Sequence, residues 1–199
     1  STAIPPIPGV DSKHVLTSTE VLSLTEMPKK LIVIGGGVIG IEFASFFSSL
    51  GVDVHVIEML PEIIPLMDGE FSKEMRKALK GITFHLSSTV NSIKDDEVTF
   101  TCEGKTETLS GDVILMSVGR RPNVKGVGFE EIGLDVTPKG INVNERMETN
   151  LPGVYAVGDV TGKSLLAHSA YRMAEVAVNN ICGEPDRMRY HAIPWVVYS

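Results

Sequence analysis

The chain has 199 residues and a net charge of −7, with 43% hydrophobic and 22% charged residues, the balance of an ordinary globular protein. The acidic excess argues against nucleic acid or an anionic membrane as partner, since both select a basic face, and no uncharged apolar run approaches the about 18 residues of a membrane span. No basic-then-apolar leader opens the chain, and Cys102 and Cys182 form neither a CxxC pair nor a disulfide framework, so a cytoplasmic setting is expected.

In chain order, residues 1–26 read as irregular, with Pro5, Pro6, Pro8 and Gly9 near the start. Leu31–Ile34 is a continuous apolar run, as in a parallel strand covered on both faces. Val38–Leu50 has helical character and Gly51 stands where a helix ends. Val52–Glu58 reads as a second strand. After the loop MLPEIIPLMDG comes a charged helix, about Glu70–Lys80, closed by Gly81. The pieces ITFHL, TVNSI, EVTFTC and TETLS then predict an antiparallel ribbon inserted before a last parallel strand, DVILMSVG. Past Arg121-Pro122-Asn123 lie a glycine-rich connection, a strand VYAVG and a helix from about Leu166 to Ile181. The pattern is α/β, with a Rossmann-like parallel sheet carrying an antiparallel insertion.

Gly35-Gly36-Gly37-Val38-Ile39-Gly40 matches GxGxxG, and it follows a strand and opens a helix. In that setting Gly35 permits the tight turn, Gly37 lets the backbone approach a pyrophosphate, and Gly40 lets helix and strand pack closely. The helix start offers unpaired N–H groups and positive dipole. Glu58 ends the second strand, 18 residues after Gly40, where an acid binds ribose hydroxyls. The alternative is a structural glycine turn with a surface glutamate. Glu42, early in the helix, can complement its dipole. Gly119 and Asp159 stand at the ends of predicted strands, where open α/β sheets place ligands, though Asp159 suits a turn or N-cap equally well. His168 opens the last helix and can be a local hydrogen-bonder. The histidines show no metal-ligand spacing.

Taken together, GGGVIGIEFA, VIE, SVGRRPN, LPGVYAVGDV and LLAHSA resemble, in order along the whole chain, the flavoprotein disulfide reductases, and LAHSA resembles the dihydrolipoamide dehydrogenase branch of that family. The resemblance implies that Gly35, Gly36, Gly37, Val38, Ile39, Gly40, Ile41, Glu42, Glu58, Val90 and Gly119 line NAD, with Glu42 near the nicotinamide. It implies that Asp159, Leu165, Leu166, Ala167 and His168 belong to an FAD site. Glu58 is similar to the NAD-type rather than the NADP-type acidic position. Where the family continues the LAH helix with Glu-Gly, this chain has Met173-Ala174.

The implied organisation is residues 1–26 as linker and end of a first FAD segment, 27–123 as NAD-binding domain, 124–192 as second FAD segment, and 193–199 as the start of a dimerisation domain. A middle slice is therefore expected, lacking the family's CxxxxC dithiol and its HxxxxE, so that the fragment alone is inactive and holds no catalytic residue. The whole enzyme of this resemblance passes electrons from dihydrolipoamide through a disulfide and FAD to NAD⁺, as a homodimer serving a 2-oxo acid dehydrogenase complex. A mercuric or glutathione reductase-like enzyme, or a non-catalytic NAD(H)-binding module, are the alternatives.

Overall fold

The computed structural model describes residues 1–199. The chain forms two compact units, Thr2–Gly119 with Trp195–Ser199, and Ser1 with Arg120–Pro194. No helix is long and apolar enough to cross a membrane.

The larger unit begins with β1 (Val15–Leu16) and a single helical turn, α1 (Ser18–Val21). Thr17 caps that turn, and the Glu20 carboxylate accepts from the Thr17 N–H at 2.8 Å, a reciprocal capping box. Then come β2 (Lys30–Ile34), α2 (Val38–Ser49), β3 (Asp53–Ile57), α3 (Gly69–Ala78) and β4 (Ile82–His85). Next are β5 (Ser88–Lys94), β6 (Glu97–Cys102), β7 (Lys105–Ser110) and β8 (Val113–Met116). The main sheet is all parallel in the order β1-β8-β2-β3-β4, and β5-β6-β7 form a separate antiparallel sheet.

Burial on both faces explains the unbroken apolar runs of the central strands. Leu31 and Val33 of β2 pack with Ile41, Ala44 and Phe47 of α2 in one core. Ile32 and Ile34, one residue out of phase, join Ile93, Val98 and Phe100 of the antiparallel sheet in a second.

The smaller unit holds the two-residue strands β9 (Val136–Thr137) and β10 (Gly140–Ile141), a 3₁₀ turn at Gly158–Thr161 and α4 (Ala167–Ile181). Met147, Met173, Val176, Ala177 and Met188 form one of its apolar clusters.

Four sequence expectations are corrected. The segment ITFHL is no part of the antiparallel ribbon: Ile82–His85 pairs in parallel with β3 as the edge of the main sheet. Residues 1–26 are not wholly irregular, since Val15 and Leu16 pair with Ile114 and Leu115. Helix α3 stops at Ala78, capped by Leu79, and Gly81 serves packing instead: a Cβ there would lie 2.5 Å from Ser48 Oγ. VYAVG is not a strand. Only Tyr155 bridges, to Glu148, and Gly158 at φ +77° turns the chain into the 3₁₀ segment that carries Asp159.

Candidate functional site

The loop from β2 into α2 is shaped by its glycines. Gly35 has φ +106°, which disfavours any side chain, and its N–H donates to the Ile57 carbonyl at 2.9 Å. A Cβ at Gly40 would collide with the Gly35 carbonyl oxygen and lie 2.6 Å from Ser117 Oγ. At Gly37 a Cβ would meet nothing within 4 Å. The glycine there leaves open space over the start of α2 rather than relieving a clash.

That helix start has no side-chain cap. The N–H groups of Val38, Ile39 and Gly40 belong to the first turn, which has no intrahelical acceptor to offer them. Open space beside such a turn suits an anion, which the dipole favours. Ile41 is fully buried beneath it and fixes the helix on the sheet.

Glu58 follows β3 directly and is 8% exposed. Its Oε2 accepts from the Gly36 N–H at 2.6 Å and its Oε1 from the Leu60 N–H at 2.7 Å. The carboxylate thus ties the glycine loop to the end of β3. Each oxygen retains acceptor capacity for a further donor. The Glu58 carbonyl accepts from the Ser88 N–H at 2.9 Å, which starts β5, and half-buried Val90 lies two residues along that strand, against the core that includes Ile57.

Gly119, at φ +119°, lies just beyond β8 with open space where a Cβ would project, and its carbonyl accepts from the Ala3 N–H at 2.9 Å. Glu42 is the fifth residue of α2, past the first turn, and its Oε1 accepts from the Tyr198 N–H at 2.9 Å. Dipole complementation is therefore not its principal contact. The structure gathers the glycine loop, Glu58 and Gly119 at the carboxyl ends of β2, β3 and β8, where open α/β sheets receive ligands.

The remaining candidates lie in the smaller unit. Asp159 is half exposed, and Arg120 Nε stands 4.0 Å from its Oδ2. Leu166 is the extended N-cap of α4, no side chain caps that helix, and Leu165, Ala167 and His168 are exposed. His168 Nε2 pairs with the Pro194 carbonyl at 3.0 Å. Cys102 and Cys182 are free thiols and belong to different units.

Two residues to which the sequence gave no site role support these loops. Ser117 is 7% exposed, and its Oγ lies 3.1 Å from the Ile34 carbonyl and 3.0 Å from that of Gly35, clasping the turn from β8. Met173 is fully buried, and its Sδ accepts from the Gly158 N–H at 3.2 Å. The Met173-Ala174 departure thus fills the space between α4 and the 3₁₀ turn. Ser117 had no signal of its own and Met173 stood out only as the departure from Glu-Gly in an apolar helix phase, because both contacts are long-range.

With this geometry in hand, known proteins can be set beside the chain. The profile of the pyridine nucleotide-disulphide oxidoreductase family matches residues 1–174. Dihydrolipoyl dehydrogenase of Acholeplasma laidlawii is 44% identical over 187 residues, covering 91% of this chain and 55% of the relative. The Chlamydia muridarum dihydrolipoyl dehydrogenase is 42% identical over 203 residues, covering 99% of this chain and 43% of the relative. Among solved structures, the HOCl-induced flavoprotein disulfide reductase RclA of Escherichia coli aligns with a TM-score of 0.84 at 30% identity, over 94% of this chain and 44% of its own. LpdA of Mycobacterium tuberculosis aligns with a TM-score of 0.89 at 27% identity, over 100% of this chain and 44% of its own. The chain spans about half the length of the curated relatives it matches. Sequence, fold and loop geometry agree, and the chain belongs to the pyridine nucleotide-disulphide oxidoreductase family.

Proposed function

We propose that the unit Thr2–Gly119 binds NAD(H) and forms the pyridine nucleotide site of a dihydrolipoamide dehydrogenase. The observation that carries this reading is the uncapped start of α2, open at Gly37 and flanked by the buried carboxylate of Glu58. The N–H groups of the first turn receive the pyrophosphate. Glu58, already oriented by the Gly36 and Leu60 amides, turns its free acceptor positions to the adenosine ribose. Val90 and Gly119 border the adenosine and pyrophosphate sides, and Glu42 reaches toward the nicotinamide.

In the smaller unit, Asp159 and the segment Leu165–His168, exposed except for half-buried Leu166, contribute to an FAD site, with the uncapped start of α4 as its dipole. When bound, FAD and NAD⁺ supply hydride transfer; this chain binds, orients and excludes water. Cys102 and Cys182 are free thiols with no CxxC or CxxxxC spacing, and we assign them no part in thiol exchange. As part of a longer enzyme, the chain serves dihydrolipoamide oxidation in a dimer attached to a 2-oxo acid dehydrogenase complex.

The test is cofactor choice. A 2′-phosphate would meet the like charge of Glu58, and at about 4 Å and an effective dielectric near 20 that repulsion is on the order of 4 kcal/mol. Solvent at the site mouth trims it, so NADH is expected to bind about 10- to 100-fold more tightly than NADPH. Calorimetric titration of both cofactors into the wild-type chain, Glu58→Gln and Glu58→Arg measures this. Loss of the preference in both variants is the expected result, and equal affinities in the wild type would overturn the reading.

A further inference from the structure

Two imidazoles meet on the main sheet, and neither lies among the residues assigned to the nucleotide. His55 Nδ1 on β3 stands 3.1 Å from His85 Nε2 on β4. The ring centroids are 5.4 Å apart and the planes differ by 17°. The facing nitrogens therefore lie between the centroids in nearly one plane: this is an in-line N–H···N hydrogen bond rather than a face-to-face stack. On the other side of the ring, His55 Nε2 is 3.3 Å from Asp53 Oδ1.

The order of protons follows. An ionised carboxylate only accepts, so His55 Nε2 carries a proton, its Nδ1 is left as acceptor, and His85 Nε2 donates to it. Asp53 is held in turn by Lys30 Nζ of β2 at 2.9 Å. The His85 ring packs edge-on against Phe100 of β6, with centroids 4.9 Å apart, and Glu107 of β7 is the charge that faces it from the antiparallel sheet. One added proton can be absorbed, if His55 donates from both nitrogens and His85 turns acceptor at Nε2. A second sets N–H against N–H, two cations facing with no acceptor between them.

The same strand holds the proposed selector. The His85 carbonyl accepts from the Glu58 N–H at 2.9 Å, and Ile57 pairs with His85 in the β3–β4 register. Anything that parts β4 from β3 loosens the main chain of Glu58.

We propose that Asp53, His55 and His85 form an acid-sensitive latch on the nucleotide site, closed near neutral pH and opened when the ring pair takes up its second proton. The latch rests on the NAD(H) reading above. Burial, and after it the neighbouring His55, hold the His85 imidazole below its ordinary value of 6.5, with Glu107 opposing. A histidine favoured as neutral in the fold contributes stability that is present above about pH 6.5 and is lost as pH falls through its lower folded value.

The probe is ADP-ribose, which is stable in acid, titrated calorimetrically at about pH 7.5, 6.5 and 5.5. Wild type should lose about tenfold in affinity per pH unit once the second proton binds. His85→Gln keeps an N–H donor but cannot titrate there, and it should lose less than about threefold over the same range. Nitrogen-15 NMR of the wild-type chain should show the His85 ring still neutral below its ordinary value of 6.5. A His85 ring that takes up its proton at or above that value would overturn the latch whatever the ligand does. So would an affinity that is flat with pH, or one that falls equally in His85→Gln. Failure of ADP-ribose to bind at any pH would instead overturn the NAD(H) reading, and with it the link from latch to affinity.

Discussion

Two glycines of one loop have opposite duties. Gly40 is a packing residue: a methyl there drives into the Gly35 carbonyl and Ser117 Oγ. Gly37 has φ −72° and ψ 177°, values any residue adopts, and faces empty space. Gly40→Ala should therefore destabilise the chain by about 1–3 kcal/mol, as overpacking does. Gly37→Ala should leave stability within about 0.5 kcal/mol and, on the NAD(H) reading proposed above, lower NADH affinity at least about tenfold, because its methyl would enter the open space over the start of α2. Urea unfolding and NADH titration of both variants separate the two duties, and a Gly37→Ala chain with wild-type affinity would contradict the second. Much of this was legible beforehand, since the spacing of Gly35, Gly37, Gly40 and Glu58 is set by a local strand–turn–helix. The grip of Glu58 on the Gly36 and Leu60 amides was not, nor was that of Ser117 from another strand.

Among the elements, the helices α2, α3 and α4 and the strands β2, β3, β5, β6, β7 and β8 were read well, and two short apolar runs were not. Helix α4 was expected at about Leu166–Ile181 and runs Ala167–Ile181. By contrast, ITFHL and VYAVG are both short apolar runs, and nothing local separates a parallel edge strand from a ribbon strand, or either from an extended loop. What held VYAVG out of a sheet is the turn at Gly158, whose N–H is claimed by Met173. That bond gives α4 its hold on the 3₁₀ segment. Met173→Ala removes a fully buried side chain and should cost about 2–5 kcal/mol. Met173→Leu conserves volume and should cost under about 1.5 kcal/mol if packing dominates. A cost for Met173→Leu as large as that for Met173→Ala, measured by urea unfolding, would show the sulfur bond to be the greater part.

On the scale of the whole molecule, the fold class followed from the alternation of strands and helices around the glycine loop, and the parallel sheet with its antiparallel companion bears that out. What alternation cannot foretell is the flank of the sheet, because β1 comes from residues with no strand pattern of their own. The segment before β2 is bound along its length: the Pro8 carbonyl accepts from the Ile93 N–H at 2.7 Å, Ser12 Oγ donates to the Asp95 carbonyl at 2.7 Å, and the His14 carbonyl accepts from the Ile114 N–H at 2.8 Å. The two paired residues of β1 are thus a guard on an otherwise sticky border. Without them the apolar strand Val113–Met116 would present a row of unmet N–H and C=O groups, the template on which a neighbouring chain adds a strand. A version trimmed to start at Lys29 should self-associate at concentrations where the 199-residue chain stays dispersed, as light scattering would reveal, and equal scattering from the two would contradict this. On that expectation Val15 and Leu16, two residues without a strand pattern of their own, double as protection against clumping.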